Sequence, residues 1–433
     1  MTYRPLHLGT LATSLTIQVC GVVTGIVTAR SLGPEARGAF VGILLWPTIF
    51  SNLGLVGCNW AVARAVAADP RRAAHWTRVS VVVALMLSVT FAAVGYVALP
   101  LLLPADKQSL VALSRVCLLL VPLDIFSQML LATEHGQMRW RRYNAIRGAF
   151  YVVYATLVVL LWVTGRADVA AFAAVFLVSH LLMVLLRLAL QWRALSSAEF
   201  DIADCWRLLR AGLPFVWSTA SNLLVLHLDK MLVVALLTTD SVGMYAAAVT
   251  FSAAHSAFGE TFGITAFAQL ANERDPAVQA RRLADAFRQA AVLACGLGAV
   301  LAALVPVVVT PLFGEGFGPA VRPAMILTVA ASLAALSTVL NQGLKGAGRP
   351  VAGVTSQLVG AAVLAVMVVA LHDSMGLAGI AVAAVVSAVA QVIVLLFAAA
   401  FFLRVSPGLF LSFGADDLRS IVRTFSAVRL RYS

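Results

Sequence analysis

The sequence predicts an all-α integral membrane protein with about twelve transmembrane helices, arranged as two six-helix lobes around a central cavity. Three observations lead to this fold class: the composition, the length of the apolar segments, and the distribution of Lys and Arg between them. Hydrophobic residues make up 61% of the 433 residues, charged residues only 12%, and the mean hydropathy is +0.95. Soluble domains carry about 25% charged residues. Because so few charges cannot cover a water-facing surface, lipid is the expected solvent for most of the chain.

Twelve apolar stretches have the length needed to cross the hydrocarbon core, which is about 20 residues. They fall at 8–30, 38–61, 78–103, 111–133, 144–164, 168–190, 211–238, 241–268, 286–313, 320–344, 350–371 and 376–403. The first is expected to be a retained span, because it is long for the apolar core of a signal peptide and another apolar stretch follows it directly.

Lys and Arg alternate between the two sides of these stretches. With a cytoplasmic N-terminus, 24 of the 31 Lys and Arg residues lie in cytoplasmic segments, 6 lie in outer segments, and Lys230 lies within a span. Cytoplasmic loops of membrane proteins are enriched in Lys and Arg. The distribution therefore predicts that both chain termini are cytoplasmic. In this scheme Arg37 and Lys107 belong to outer loops, and Arg187 belongs to the cytoplasmic side.

The two halves of the chain repeat one another weakly. Gly38 follows the first span as Gly243 follows the seventh, and segment 134–139 after the fourth span matches segment 344–349 after the tenth. The offsets are 205 and 210 residues, so one register relates the halves. Because each repeat contains an even number of spans, six, the chain returns to its starting side after the first half, and both halves enter the membrane from the same side. This pattern predicts a parallel repeat, an arrangement that transporters use for alternating access.

The domain boundaries follow from this repeat. We expect an N-terminal six-helix lobe at 1–190, a cytoplasmic linker at 191–210, a C-terminal six-helix lobe at 211–403 and a basic cytoplasmic tail at 404–433. Within the tail, segment 416–425 has apolar residues on one helical face and arginines on the other. That pattern favours an amphipathic helix on the anionic cytoplasmic leaflet.

Composition and motifs also indicate which functions are absent. The five cysteines form no CxxC pair, so we expect neither a disulfide framework nor a metal site. The net charge of +12 is explained by cytoplasmic loops that contact anionic lipids, and no nucleic-acid-binding module is recognisable. Walker A, GxSxG, HExxH and glycine-rich dinucleotide motifs are missing. We therefore expect a protein that is not an enzyme, with no catalytic residues, no cofactor and no nucleic-acid partner.

Ionisable residues inside spans are energetically unfavourable and are therefore candidates for function. Lys230 is a candidate for attracting an anionic substrate, and Arg30 and Arg64 near span ends are candidates for the cavity mouth. Each also has a simpler explanation. Lys230 could form a structural polar contact between helices, Arg30 could extend its charge to the lipid headgroups, and Arg64 could be a cytoplasmic charge of the ordinary kind. Residues that could serve ion coupling or structural polar contacts are Asp229, Glu260, His255 and Asp124.

Four segments resemble a known family. Residues 28–40 (TARSLGPEARGAF) are similar to the "AR-x-LGP-x-x-x-G-x-F" stretch of Wzx-type polysaccharide flippases. These belong to the multidrug/oligosaccharidyl-lipid/polysaccharide (MOP) superfamily, with MurJ and the MATE exporters. Residues 52–64 resemble the family's next pattern, 228–248 resemble its seventh-span pattern "D-[KR]…G-x-Y-x-x-A", and 341–350 resemble its tenth-span end. The resemblance extends over residues 8 to 403.

The resemblance implies a carrier in the bacterial inner membrane. It would move a polyprenyl-pyrophosphate-linked oligosaccharide from the cytoplasmic to the outer leaflet, for surface polysaccharide biosynthesis. The family's cavity positions carry over to Arg30, Arg64 and Lys230, and its polar position to Asp229. The expected partners are this lipid-linked oligosaccharide and anionic membrane lipids. Na⁺ or H⁺ is a candidate coupling ion, and other polysaccharide-assembly proteins are further candidate partners.

Other functions stay open at this stage. A MATE-like, cation-coupled exporter of small organic molecules would require an acidic cavity, but acids within the spans are few. A membrane glycan polymerase or ligase would require a sizeable outer loop, and the outer loops are short. A carrier-like scaffold without transport activity is a third alternative.

Overall fold

A computed structural model of the chain describes residues 4–197, 201–253, 256–271 and 273–412. These residues form helices and short connections, without a β-strand among them. The α-helices are α1 (Arg4–Gly54), α2 (Cys58–Ala68), α3 (Ala73–Leu102), α4 (Val111–Cys117), α5 (Leu120–Gly136), α6 (Trp140–Val163), α7 (Val169–Ser197), α8 (Ile202–Leu236), α9 (Thr239–Ser252), α10 (Ser256–Ala271), α11 (Pro276–Phe313), α12 (Val321–Gly346), α13 (Val351–Leu403) and α14 (Gly408–Leu411). Short 3₁₀ turns lie at Pro70–Arg72, Ala105–Leu110 and Glu315–Ala320.

Seven helical segments of the described chain are long and apolar enough to cross a membrane, or eight if the bent pair α4 and α5 forms one span. The predicted all-α membrane fold is therefore confirmed. The count of twelve spans and the direction of insertion stay predictions.

The two longest helices, α1 and α13, each contain a sharp backbone break. Gly33 in α1 has φ 71° and ψ 176°, and Gly376 in α13 has φ 54° and ψ −129°. L-residues with a side chain rarely adopt such conformations, whereas glycine does so without steric clash. Pro34 directly after the first break suits the start of a new helix, because its missing N–H is not needed there. Each long helix thus contains two helical segments, which coincide with two neighbouring predicted spans.

The chain divides into two compact units. The first contains residues 1–247 and 312–317, and the second contains 248–311 and 318–433. Ile43 and Phe172 are fully buried in the core of the first unit, as Leu283 and Leu340 are in the second. The two-lobe division with a linker at 191–210 stays a prediction. The predicted tail helix at 416–425 lies outside the described residues.

The second repeat correspondence has the same local geometry in both halves. At the end of α5, the Arg139 amide donates to the Glu134 carbonyl (3.2 Å), and Met138 between them has φ 53°. At the end of α12, the Arg349 amide donates to the Leu344 carbonyl (2.8 Å), and the intervening Gly348 has φ 77°. A left-handed residue that closes the last helical turn is a common helix stop.

The beginning of α8 is fixed to α3 by one buried carboxylate. Asp204 accepts hydrogen bonds from His75 Nε2 and Arg207 Nη1, both at 2.7 Å, and Arg72 lies 3.5 Å away. Burial raises the pKa of Asp204, but hydrogen bonds and charge from Arg207 and His75 outweigh it, so that the pKa lies below its usual value.

Candidate functional site

Asp229 on α8 is an acid with spare hydrogen-bonding capacity. Its Oδ2 accepts a 3.0 Å hydrogen bond from the hydroxyl of Tyr245 on α9, a residue that is 2% exposed. Its Oδ1 is buried and has no hydrogen-bond partner. A buried acceptor without a partner is unfavourable. Asp229 therefore offers an oxygen that a cation or a proton could occupy.

Lys230 is the neighbouring cation on α8. It is half-buried, and its Nζ makes one long hydrogen bond of 3.4 Å to the Leu226 carbonyl. Successive helical residues project about 100° apart, and Lys230 forms no ion pair with Asp229 or with another acid of the described chain. On the same helix, His227 Nδ1 is buried without a partner. The positive charge of Lys230 is thus not neutralised within the described part of the protein.

The other predicted site residues are distributed over several helices. Arg30 on α1, Arg64 on α2 and Glu260 on α10 are exposed, and no described residue forms an ion pair with any of them. His255 lies outside the described residues. No hydrogen bond or ion pair joins any two of the predicted site residues that the structure describes, so their grouping into one cavity stays a prediction.

Asp124, the remaining predicted residue, joins α5 to α1 by a hydrogen bond, and a second polar contact joins α5 to α7 nearby. It accepts a 2.8 Å hydrogen bond from Ser51, and Gln128 Nε2 lies 3.5 Å from its other oxygen. On α7, Arg187 is 5% exposed and donates to both the hydroxyl and the carbonyl of Ser127 on α5. These contacts favour a structural role for Asp124. Arg187, which the sequence places at the cytoplasmic end of the span predicted at 168–190, is a buried residue of α7.

Arg37 is a charge that was expected in an outer loop and is instead buried. It is 4% exposed, and its guanidinium donates to the Gly25 carbonyl and, at 3.0 Å, to the Thr28 hydroxyl. The guanidinium carbon lies 5.9 Å from the centre of the Phe313 ring. Arg37 therefore cross-links the two halves of α1 on either side of the break at Gly33. The pair Gly33-Pro34 is the sequence signal that could have placed Arg37 inside a helix, because glycine tolerates a sharp break and proline suits the first turn of the helix that follows.

A cavity of about 170 Å³ lies against Arg37 within the first unit. Its wall combines small residues, hydroxyl groups and aromatic rings with this one charge: Gly21, Thr24, Gly25, Thr28, Arg37, Phe40, Val41 and Tyr154. Such a wall offers hydrogen-bond donors and positive charge, which suit an anionic or hydroxyl-rich group.

Gly38 and Gly243 are in direct backbone contact. A Cβ atom on Gly38 would lie 1.7 Å from the Thr239 carbonyl oxygen, and one on Gly243 would lie 1.8 Å from the Pro34 carbonyl oxygen. The contact is reciprocal, because each glycine meets the carbonyl four residues before the other. Only glycine permits the second half of α1 and the start of α9 to approach this closely.

The sequence pattern of the family described as "polysaccharide biosynthesis protein" matches residues 8–267, more than half of the chain. A comparison with curated protein sequences gave no significant match.

Two kinds of transporter structure resemble the whole chain. The lipid II flippase MurJ in an inward closed conformation is 10% identical with a TM-score of 0.68, and the match covers 96% of this chain and 92% of MurJ. An inward-facing multidrug resistance MATE family transporter of the MOP superfamily is 17% identical with a TM-score of 0.67, over 94% of this chain and 100% of that one. Its outward-facing form is 18% identical with a TM-score of 0.64, over 94% and 96%. At these identities the similarity establishes the fold.

Proposed function

Because this chain belongs to the polysaccharide biosynthesis protein family, we propose that it is a flippase for a polyprenyl-pyrophosphate-linked oligosaccharide. The family and the fold confirm the sequence resemblance to the MOP superfamily and a multi-pass membrane protein. In the proposal, the substrate moves from the cytoplasmic to the outer leaflet of the bacterial inner membrane by alternating access. The protein acts as a transporter and not as an enzyme.

The observation that carries this proposal is the charge of Lys230. It lies half-buried in an apolar helix and has no acidic partner in the described chain. A pyrophosphate cannot enter an apolar environment without compensation of its charge. A lysine or arginine without an acidic partner can provide that compensation through charge-assisted hydrogen bonds. Lys230 would contact the pyrophosphate, and Arg30 and Arg64 would contact it near the ends of the pathway.

Asp229 would provide the coupling function next to the substrate charge. Its unpartnered Oδ1 could accept a proton or coordinate Na⁺, while Tyr245 holds Oδ2 in place. Binding of the cation during the return of the empty carrier would then complete the cycle. The membrane potential also assists: outward movement of an anion across an outside-positive potential is favoured by about 2.3 kcal/mol per charge per 100 mV.

The MATE-like alternative would require a different arrangement of charges around the substrate. An exporter of organic cations requires acids that face its substrate, and Asp229 would then be the binding residue and not the coupling residue. Lys230 beside it would repel a cationic substrate. This neighbouring charge is the reason for preferring the anionic lipid-linked substrate.

The proposal is tested with purified protein in vesicles that contain a fluorescent polyprenyl-pyrophosphate oligosaccharide. Movement to the far leaflet is measured by the fraction that a membrane-impermeant quencher or lectin can reach. We expect Lys230→Ala to slow this movement and Lys230→Arg to retain it, because the charge is preserved. Arg166→Ala is the matched control, since Arg166 is an exposed cation in the connection between α6 and α7. Equal rates for wild type and Lys230→Ala would remove the proposed role of Lys230.

A further inference from the structure

Four aromatic side chains form one connected cluster where three helices of the first unit end or begin. His135 near the end of α5 is at its centre. Its ring centroid lies 6.1 Å from Trp60 on α2, 5.3 Å from Trp140 and 5.2 Å from Tyr143, both on α6. The rings of Trp140 and Tyr143 are 6.1 Å apart at nearly right angles. These spacings are those of attractive aromatic pairs.

The backbone beneath this cluster is closely packed. A Cβ atom on Gly136 would lie 2.5 Å from the Ala63 carbonyl oxygen, so α5 and α2 are in backbone contact directly beside the rings. Glu134 is 2% exposed and forms a 3.1 Å ion pair with Arg142 on α6. The turn between α5 and α6 is closed by the left-handed conformation of Met138. The rings therefore lie on closely packed helix ends.

The guanidinium groups of two arginines beside the rings have no hydrogen-bond or ion-pair partner in the described chain. Arg64 follows Trp60 by four residues on α2, a spacing that places both on one helical face. Arg139 directly precedes Trp140 at the start of α6. Both arginines are exposed, and their side chains form no hydrogen bond or ion pair with a described residue, whereas the Arg142 side chain is paired with Glu134. Positive charge thus remains available next to the aromatic surface.

We propose that these six residues form a binding site for the glycan–pyrophosphate headgroup of the lipid-linked substrate. The aromatic–arginine platform, as we name Trp60, Arg64, His135, Arg139, Trp140 and Tyr143, lies at helix ends that the charge distribution assigns to the cytoplasmic side. That side is where the substrate would be loaded. This inference rests on the proposed flippase function and adds a recognition site for the sugar.

The two chemical elements of the platform match the two parts of the headgroup. A sugar ring has a face of C–H groups, which stacks on an indole while the hydroxyl groups at its rim stay in water. Trp60 is 48% exposed and offers such a surface. The planar guanidinium groups of Arg64 and Arg139 can bind phosphate oxygens in a bidentate manner. The combination recognises a phosphate-linked sugar, which neither element does alone.

Anionic phospholipids share the phosphate chemistry, and Trp and Tyr are also enriched at membrane interfaces as anchors. Anchoring aromatic residues act individually, each contacting lipid headgroups. Here four rings from three helices contact one another around a histidine. This arrangement presents one shared surface and favours recognition of a ring-shaped ligand over anchoring.

The test measures binding to the full-length protein in phosphatidylcholine nanodiscs, with three probes. They are a polyprenyl pyrophosphate that carries N-acetylglucosamine, the same lipid without sugar, and phosphatidylglycerol. We expect Trp60→Leu and Trp140→Leu each to weaken binding of the sugar-bearing probe by about three- to tenfold, with little effect on the sugar-free probe. Trp60→Tyr should retain binding, because a ring remains.

Arg64→Ala and Arg139→Ala should weaken binding of both pyrophosphate probes. Arg166→Ala and Trp162→Leu are the matched controls, an exposed Arg and an exposed Trp at the opposite end of α6 from the platform, and should change neither affinity. Thermal unfolding of every variant confirms that it is folded.

Three results would overturn the inference in distinguishable ways. If the Trp variants bind and flip the sugar-bearing probe as wild type does, the platform is not a sugar site although the flippase function stands. If they weaken phosphatidylglycerol binding equally, the platform is a lipid anchor. If wild type neither binds nor flips any pyrophosphate probe, the proposed function itself is wrong, and the ligand assigned to the platform is wrong with it.

Discussion

The reciprocal contact between Gly38 and Gly243 yields the sharpest mutational prediction. In Gly38→Ala, the new methyl group would lie 1.7 Å from the Thr239 carbonyl oxygen, whereas ordinary van der Waals contact begins at about 3.4 Å. The second half of α1 and the start of α9 must therefore separate by about 1.7 Å. No rotamer change can relieve this clash, because the obstructing atom belongs to the backbone.

The energetic consequence is that of overpacking, which typically amounts to about 1–3 kcal/mol. An effect of that size reduces the population of any state that contains the contact by about 5- to 150-fold relative to states without it. The reciprocal geometry predicts the same result for Gly243→Ala, whose methyl group would lie 1.8 Å from the Pro34 carbonyl oxygen. Gly296→Ala on α11 is the matched control, because its methyl group would meet nothing within 4 Å.

The assay is a distance measurement between spin labels at positions 35 and 240, after replacement of the native cysteines by alanine. Glu35 is exposed and Asp240 is half-buried, and each lies one residue from a carbonyl that obstructs a new methyl group. We expect a longer or broader distance distribution in Gly38→Ala and in Gly243→Ala, and no change in Gly296→Ala. An unchanged distribution in both glycine variants would show that the two helices are not in backbone contact.

Three further predictions concern buried polar contacts. Asp204→Asn should lower the free energy of unfolding by about 1–3 kcal/mol at pH 7 through loss of its charge-assisted bonds to His75 and its arginine partners. Because the pKa of Asp204 lies below its usual value of about 3.9, this stabilisation should be complete above that pH and should decline as the pH falls further, through the lower pKa of the folded carboxyl. Unfolding curves of wild type and variant between about pH 2 and 7 would show the difference shrink at the acid end. Tyr245→Phe should weaken the apparent affinity for the coupling ion roughly tenfold, since Asp229 loses the donor that orients it, and ion-dependent transport rates measure this. Lys107→Leu should lower the free energy of unfolding by about 1–3 kcal/mol. The Lys107 side chain is 3% exposed, and its ammonium donates a 2.6 Å hydrogen bond to the Leu237 carbonyl at the end of α8. An unchanged melting temperature would contradict that contact.

The helical segments follow closely from the sequence, because their length and apolar composition are set by the membrane. The span predicted at 78–103 is α3, and that predicted at 144–164 is α6. What hydropathy could not reveal is that α1 and α13 continue through two predicted spans with a single glycine as the break. A positive φ at Gly33 or Gly376 is a property of one backbone position and leaves hydropathy unchanged.

The polar residues were less predictable, since hydropathy shows that a charge lies between two apolar stretches or near the end of one, but not whether helix packing buries it. Arg37 and Arg187 were assigned to opposite sides of the membrane, and the structure buries both in helices. Their partners are carbonyl and hydroxyl groups of Gly25, Thr28 and Ser127, which any sequence offers in abundance. A pairing of this kind depends on helix packing, and residue types alone do not encode it.

Lys230 illustrates the opposite case. A lysine inside an apolar span is conspicuous in the sequence, and the structure adds that it has no acidic partner in the described chain. The pairing of Asp229 with Tyr245, sixteen residues later on the next helix, required the structure. The sequence thus identified the unusual charges and not the contacts that determine their availability.

The central claim is that the protein moves a lipid-linked, anionic glycan across the bilayer. The most direct measurement compares two substrates in wild-type vesicles under an imposed potential: a fluorescent polyprenyl-pyrophosphate oligosaccharide and a fluorescent organic cation. We predict transfer of the oligosaccharide to the far leaflet, faster than in protein-free vesicles and accelerated when the far side is positive, without transport of the cation. Cation transport along an ion gradient with no transfer of the oligosaccharide would contradict the account and favour an exporter of organic cations.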